Sequence, residues 1–162
     1  MNFTLTLTSP LKGEGTYKNG ETHQMIKKVH HIGIAVKDLK ESVALFERLL
    51  GLKAHIEDAP CQKVTEAVFK IGEGIEIDLV EPTGPDSAVA KFLEKRGEGL
   101  HHIAFEVDDI DKDLRAMEGK GVQLIDKQGR DGVAGKIGFL HPKSVNGVLV
   151  ELVQPFHNRH SR

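Results

Sequence analysis

From Val29 onward the chain alternates apolar and polar positions, shifts to three-and-four spacing, then alternates again. "VHHIGIAV" (29–36) places His31, Gly33 and Ala35 on one strand face, and His30, Ile32, Ile34 and Val36 on the other. In "DLKESVALFERLLG" (38–51), Leu39, Val43, Phe46 and Leu50 form one helical stripe. Asp38 with Glu41 is a helix-start signal, and Gly51 is the stop. "LKAHIE" (52–57) and "VTEAVFKI" (64–71) read as strands. A turn bracketed by Gly72 and Gly74 leads into a further strand, "IEIDLV" (75–80), which Pro82 closes. The order is β-α-β-β-β.

The same plan then recurs. "LHHIAFEV" (100–107) is a strand. "DIDKDLRAMEGKG" (109–121) is a helix with Ile110, Leu114 and Met117 inward and Gly121 as its stop. "VQLIDK" (122–127), "KIGFLH" (136–141) and "VLVELVQP" (148–155) read as strands. The last mirrors "IEIDLVEP", closing proline included. "DSAVAKFLEKRGEG" (86–99) reads as a linking helix, capped by Asp86 or Ser87 and stopped at Gly97. Two copies of about 50 residues imply an internal duplication rather than a solenoid. The fold class expected is therefore α+β: two βαβββ modules, about 29–82 and 100–155, in one domain with a curved mixed sheet. Each module has one apolar face to hide, and two modules side by side can bury that face in common. Residues 1–25 read as a leader, disordered or non-native, with Met25 a candidate start; 26–156 is the domain, and 157–162 a tail.

Composition narrows the function classes. The chain has 22 basic and 24 acidic residues among 162, so it carries no electrostatic footprint for nucleic acid or an anionic membrane. With no Trp and one Tyr, the core must be aliphatic plus Phe. Cys61 is the single cysteine, which excludes an internal disulfide and suits a reducing, cytoplasmic setting. No apolar run approaches the roughly 18 residues that span a bilayer.

The duplication also pairs side chains. His31 matches His102, and Asp78 matches Glu151, each acid four residues before its closing proline. The internal separations are 47 and 49 residues. Each copy thus offers one imidazole and one carboxylate, from its first and last strands. Two His and two carboxylates suit a borderline divalent cation such as Co, Ni, Zn, Mn or Fe, with positions left open for substrate. An acid inside an apolar strand such as "VLVELV" is costly unless paired or bound to a metal. In each His–His pair alternation sends the rings to opposite faces, and pattern alone does not choose which enters the cleft.

The stretches "HHIGIAVKDL", "IDLVEPTGPDSAVAKFLEKRGEGLHHIAFEVDDI" and "FLHPKSVNGVLVELVQP" resemble the vicinal oxygen chelate superfamily, which includes glyoxalases and extradiol dioxygenases. Within it they resemble the methylmalonyl-CoA epimerase family, over Val29 to Pro155. The resemblance implies a glyoxalase-like fold around a metal cleft. It implies metal ligands at His31, Asp78, His102 and Glu151, the second histidine of each pair being the ligand. His30 and His101 then face outward or stand behind the ligands. Asp78 is one methylene shorter than the Glu or Gln usual there. The same resemblance implies one divalent ion (cobalt first, with manganese, nickel or zinc as alternatives), a CoA thioester substrate and a homodimer. Catalytic acid–base roles fall on Glu151 and Glu66, and substrate contacts on Lys143 and Ser144. Lys136 reads as the repeat partner of Glu66. A glyoxalase-type lyase and a metal-free binding protein of the same fold are the competing readings.

Overall fold

A computed structural model describes residues 25–156. Of the leader expected at 1–25, residues 1–24 lie outside the described residues, as does the tail expected at 157–162. The first half comprises β1 (Lys28–Ala35), α1 (Leu39–Leu50), β2 (His55–Ala59), β3 (Val64–Ile71) and β4 (Ile75–Pro82). After α2 (Ala88–Arg96) come β5 (Gly99–Glu106), α3 (Ile110–Gly119), β6 (Arg130–Asp131), β7 (Gly135–Leu140) and β8 (Leu149–Pro155). One mixed eight-stranded sheet has the order β2-β3-β4-β1-β5-β8-β7-β6. The architecture is α+β and glyoxalase-like. No described helix is long and apolar enough to cross a membrane.

Local signals explain the helix ends. The Asp38 carboxylate accepts from the Glu41 N–H, and Gly51, at φ 68°, returns its N–H to the Glu47 carbonyl. Ser87 is the cap of α2, accepting from the Val89 N–H; Asp86 instead pairs with Lys63. The third helix ends in a Schellman motif: the Gly121 N–H reaches the Glu118 carbonyl and the Val122 N–H that of Met117. Gly121 supplies the left-handed residue at φ 86°.

Each half has its own helix-on-sheet core. Val43, Phe46 and Leu50 of α1 pack on Phe69, Ile77 and Leu79. Ile110, Leu114 and Met117 of α3 pack on Leu140, Val150 and Leu152. The repeat predicts that the halves bury one apolar face in common; instead each covers its own with a helix. They join edge to edge through antiparallel β1 and β5, which leaves the opposite sheet face free to form a cleft.

The strand expected at 122–127 is absent. Leu124 makes one isolated bridge to Leu140, and the ladder partner of β7 is the two-residue β6. Side chains supplant the ladder here. The Asp126 carboxylate takes the Phe139 N–H, and the Ser144 hydroxyl takes that of Gln123. Backbone groups engaged by side chains cannot continue a regular strand.

Candidate metal centre

The sheet register carries the duplication into three dimensions. In the first half parallel β1 and β4 align Gly33 with Asp78. In the second, parallel β5 and β8 align Ala104 with Glu151. Each acid thus stands opposite the residue two beyond its histidine. Across the central pair, His31 faces Ala104 and Gly33 faces His102. This reciprocal pairing brings the two imidazoles together at the pseudo-twofold axis.

His31, His102 and Glu151 converge, with one donor atom of each within 4.8 Å of the others. The two Nε2 atoms lie 2.9 Å apart. Glu151 Oε2 is 3.1 Å from His102 Nε2 and 3.4 Å from His31 Nε2. Glu151 is 1% exposed, and this Oε2 makes no hydrogen bond. A buried carboxylate oxygen without a partner is expensive, and a cation between it and two imidazoles removes the cost. The donor set therefore fits a divalent ion.

Asp78 stands outside that triad. Its Oδ2 is 3.8 Å from His31 Nδ1, and its buried Oδ1 has no hydrogen-bond partner. Glu66, on β3, borders both the small triad pocket and a neighbouring cavity of about 440 Å³. That cavity is also walled by Val80, His101, His102, Ile125, Arg130 and Phe139. The segment 122–127 thus supplies a wall, Ile125, in place of a strand.

Burial sets the electrostatics. It pushes Glu66 up to about 7, with the Asp78 charge adding to the rise. Burial also pushes Asp78 up to about 7, against the pull of His31. Burial would raise Glu151 too, but the close approach of the His102 and His31 rings outweighs it and holds the carboxyl at about 2. For His31, burial is opposed by Glu151 and Asp78, and the net shift is upward. His101 is pushed down to about 4 by burial and by His102. Burial lowers His30 as well.

Two expectations need correction. The rings of each His–His pair do not part to opposite faces: His30 Nδ1 lies 3.0 Å from His31 Nδ1, and His101 Nδ1 lies 2.9 Å from His102 Nδ1. Register replaces Lys136 as the partner of Glu66. Glu66 pairs with Val80, two beyond Asp78, and the residue paired two beyond Glu151 is Ile137. Lys136 is exposed and pairs with Gln154. Ser144 spends its hydroxyl on the Gln123 N–H, and Lys143 is exposed on the neighbouring turn. Neither borders the 440 Å³ cavity.

A model of the glyoxalase/bleomycin resistance protein/dioxygenase superfamily matches residues 30–141. The chain belongs to this superfamily. It is 44% identical to protein YqjC of Bacillus subtilis over 138 residues, covering 84% of this chain and 98% of the relative. It is 39% identical to the mitochondrial methylmalonyl-CoA epimerase of Dictyostelium discoideum, covering 78% of each. A Streptomyces coelicolor methylmalonyl-CoA epimerase variant, solved with 2-nitronate-propionyl-CoA, superposes with TM-score 0.78 at 41% identity. That match covers 81% of this chain and 96% of the other. The superfamily hosts many chemistries on one scaffold, so function must be argued from the site.

Proposed function

We propose that the chain epimerises methylmalonyl-CoA by removing and returning the proton on the carbon between thioester and carboxylate. The observation that carries this reading is Glu66, a carboxyl raised to about 7 on the wall shared by the triad and the large cavity. A general base works best with a pKa near the operating pH. Inversion needs proton access from both faces of the carbon. Glu66 comes from β3 in the first half and Glu151 from β8 in the second. Glu66 is the stronger base, because the two imidazoles hold Glu151 near 2. Glu151 serves the other face through its carboxylate oxygens.

An ion held by His31, His102 and Glu151, with Asp78 as the proposed fourth donor, would supply positive charge where enolate charge collects. Cobalt is the ion proposed first. Val80, Ile125 and Phe139 give the acyl group apolar walls. For the CoA arm, α2 offers a track. Ser87, Ala88 and Val89 border the acyl cavity, and Lys91, Lys95 and Arg96 border an adjoining groove of about 280 Å³. Ala88, His101 and Leu149 belong to both. Three cations one to two helical turns beyond the cavity suit the phosphates of a CoA thioester. Pro142 and Gly147 are also in that groove, so Lys143 remains a proposed phosphate contact, with Ser144 shaping the same turn.

The test is deuterium uptake at C2 of methylmalonyl-CoA by metal-loaded protein in heavy water. Exchange with inversion is the expected result. Turnover of a thiol adduct of an α-ketoaldehyde without such exchange would replace the reading with the glyoxalase-type lyase. Binding without either reaction would leave a small-molecule carrier.

A further inference from the structure

The two adjacent-histidine pairs share an irregularity that the mechanism does not use. The β1–β5 ladder slips twice. Val29 pairs with Phe105 and His31 with Ala104, so β1 spends one extra residue, His30. Gly33 pairs with His102 and Ile34 with Leu100, so β5 spends one extra residue, His101. Each bulge therefore falls on the first histidine of its pair. In a regular strand neighbouring side chains point to opposite faces; a bulge breaks that alternation and re-aims one of them.

The result is a run of four rings, His30–His31–His102–His101. Outer and inner rings meet through their Nδ1 atoms at 3.0 Å and 2.9 Å. Their planes are nearly perpendicular, at 81° and 87°. The inner pair meets through Nε2. Proton accounting then gives each ring a role. A neutral imidazole carries one N–H. For His31 and His102 to offer Nε2 lone pairs to an ion, their protons must sit on Nδ1. Each Nδ1–H then needs an acceptor. The nearest carboxylate oxygen, Asp78 Oδ2, is 3.8 Å from His31 Nδ1, beyond hydrogen-bond reach. The Nδ1 lone pairs of His30 and His101 are within reach, with their own protons on Nε2. The edge of His101 also rests on Phe92 of α2, ring centres 4.9 Å apart, which fixes its plane.

We propose that His30 and His101 are positioning residues, each locking the tautomer and ring orientation of the metal-ligating histidine beside it. This rests on the metal-centre reading and is independent of which substrate the site takes. Backbone carbonyls or carboxylates usually hold the second nitrogen of a ligating histidine. Here paired bulges supply an imidazole to do it in both halves.

The experiment measures Zn²⁺ affinity by competition with a chromophoric chelator, in the full chain. His30→Ala and His101→Ala should each weaken binding roughly 10- to 100-fold, the range found when partners behind a ligand are removed. His30→Asn and His101→Asn put an amide oxygen near the lost Nδ1 and should recover most of the affinity. Nitrogen-15 NMR of the ring nitrogens should show His31 and His102 protonated on Nδ1 in the Zn²⁺-loaded wild type. Unchanged affinity in both alanine variants, or asparagine variants as weak as alanine, overturns the proposal. His31→Ala and His102→Ala calibrate the metal-centre reading itself. If they retain full affinity that reading fails; if they lose it while the outer variants do not, only the positioning role fails.

Discussion

The two halves share a backbone plan and differ in chemistry. His31 and Asp78 in one, His102 and Glu151 in the other, occupy the same register on parallel neighbours. Yet Asp78 is pushed up to about 7 and Glu151 held at about 2. The longer Glu151 approaches both Nε2 atoms; the shorter Asp78 comes no nearer than 3.8 Å to His31 Nδ1, in the field of Glu76 and Glu57. One step further out, Glu66 in the first half corresponds to buried apolar Ile137 in the second. A third difference lies under the rings: Gly33 faces His102 where Ala104 faces His31. Duplication thus supplied a symmetric frame for gathering donors. Substitutions at matched positions then left one half with a carboxylate held ionised beside both imidazoles and the other with carboxyls raised to about 7.

The largest effect expected from disturbing this asymmetry is at Gly33. A Cβ there would lie 2.1 Å from Cε1 and 2.7 Å from Nε2 of the His102 ring. Gly33→Ala should displace the ring and abolish measurable Zn²⁺ binding in calorimetry. Ala104→Gly, at the matched position, should keep it. Next in size is Glu66→Gln, which removes the acid present in one half only. Proton exchange should drop by roughly 10²- to 10⁴-fold, the usual worth of a positioned base, with metal content unchanged. Lost metal together with lost exchange would assign Glu66 to the ion instead.

Smaller is the pH dependence of the metal-free protein. Glu66 and Asp78 have folded pKa values near 7, raised above ordinary values of 4.5 and 3.8. The folded state binds more protons than the unfolded one between those limits, so stability declines as pH rises from about 4 through about 7. Glu151 acts oppositely, and its contribution disappears only as pH falls from 4.5 toward about 2. His101 and His30, lowered from 6.5, oppose this as pH falls, whereas His31, raised, adds to it. With three groups against two, metal-free protein should melt at a higher temperature at pH 5.5 than at pH 8. Saturation with Zn²⁺ should flatten that slope, since a cation favours the charged carboxylates. An equal slope with and without metal would remove these two acids from the centre. The smallest effect is expected in the linker, which belongs to neither half. Ser87→Ala should cost about 1 kcal/mol in denaturant unfolding through loss of the α2 cap, and should leave metal affinity intact.

Much of this was legible in the chain. Helical stripes, caps and stops for α1 and α3 follow from side chains within one segment, and they form where the pattern places them. The internal repeat paired His31 with His102 and Asp78 with Glu151, because a duplicated fold returns equivalent residues to equivalent places. The choice of the second histidine in each pair came from the family resemblance and not from the pattern. Reading 122–127 as a strand failed because Asp126 and Ser144 bond the backbone from a distance that a local pattern does not contain. Matching Glu66 to Lys136 failed by one residue, since register is a relation between strands. The bulges at His30 and His101 belong to the same class. An extra residue exists only relative to the partner strand that lacks it, so alternation along one strand sends the paired rings apart, whereas the assembled ladder brings them together. The sequence by itself determined which residues the two halves have in common. The tertiary structure decided which way their rings turn and which carboxyl keeps its proton, because both depend on neighbours that are near in space and remote along the chain.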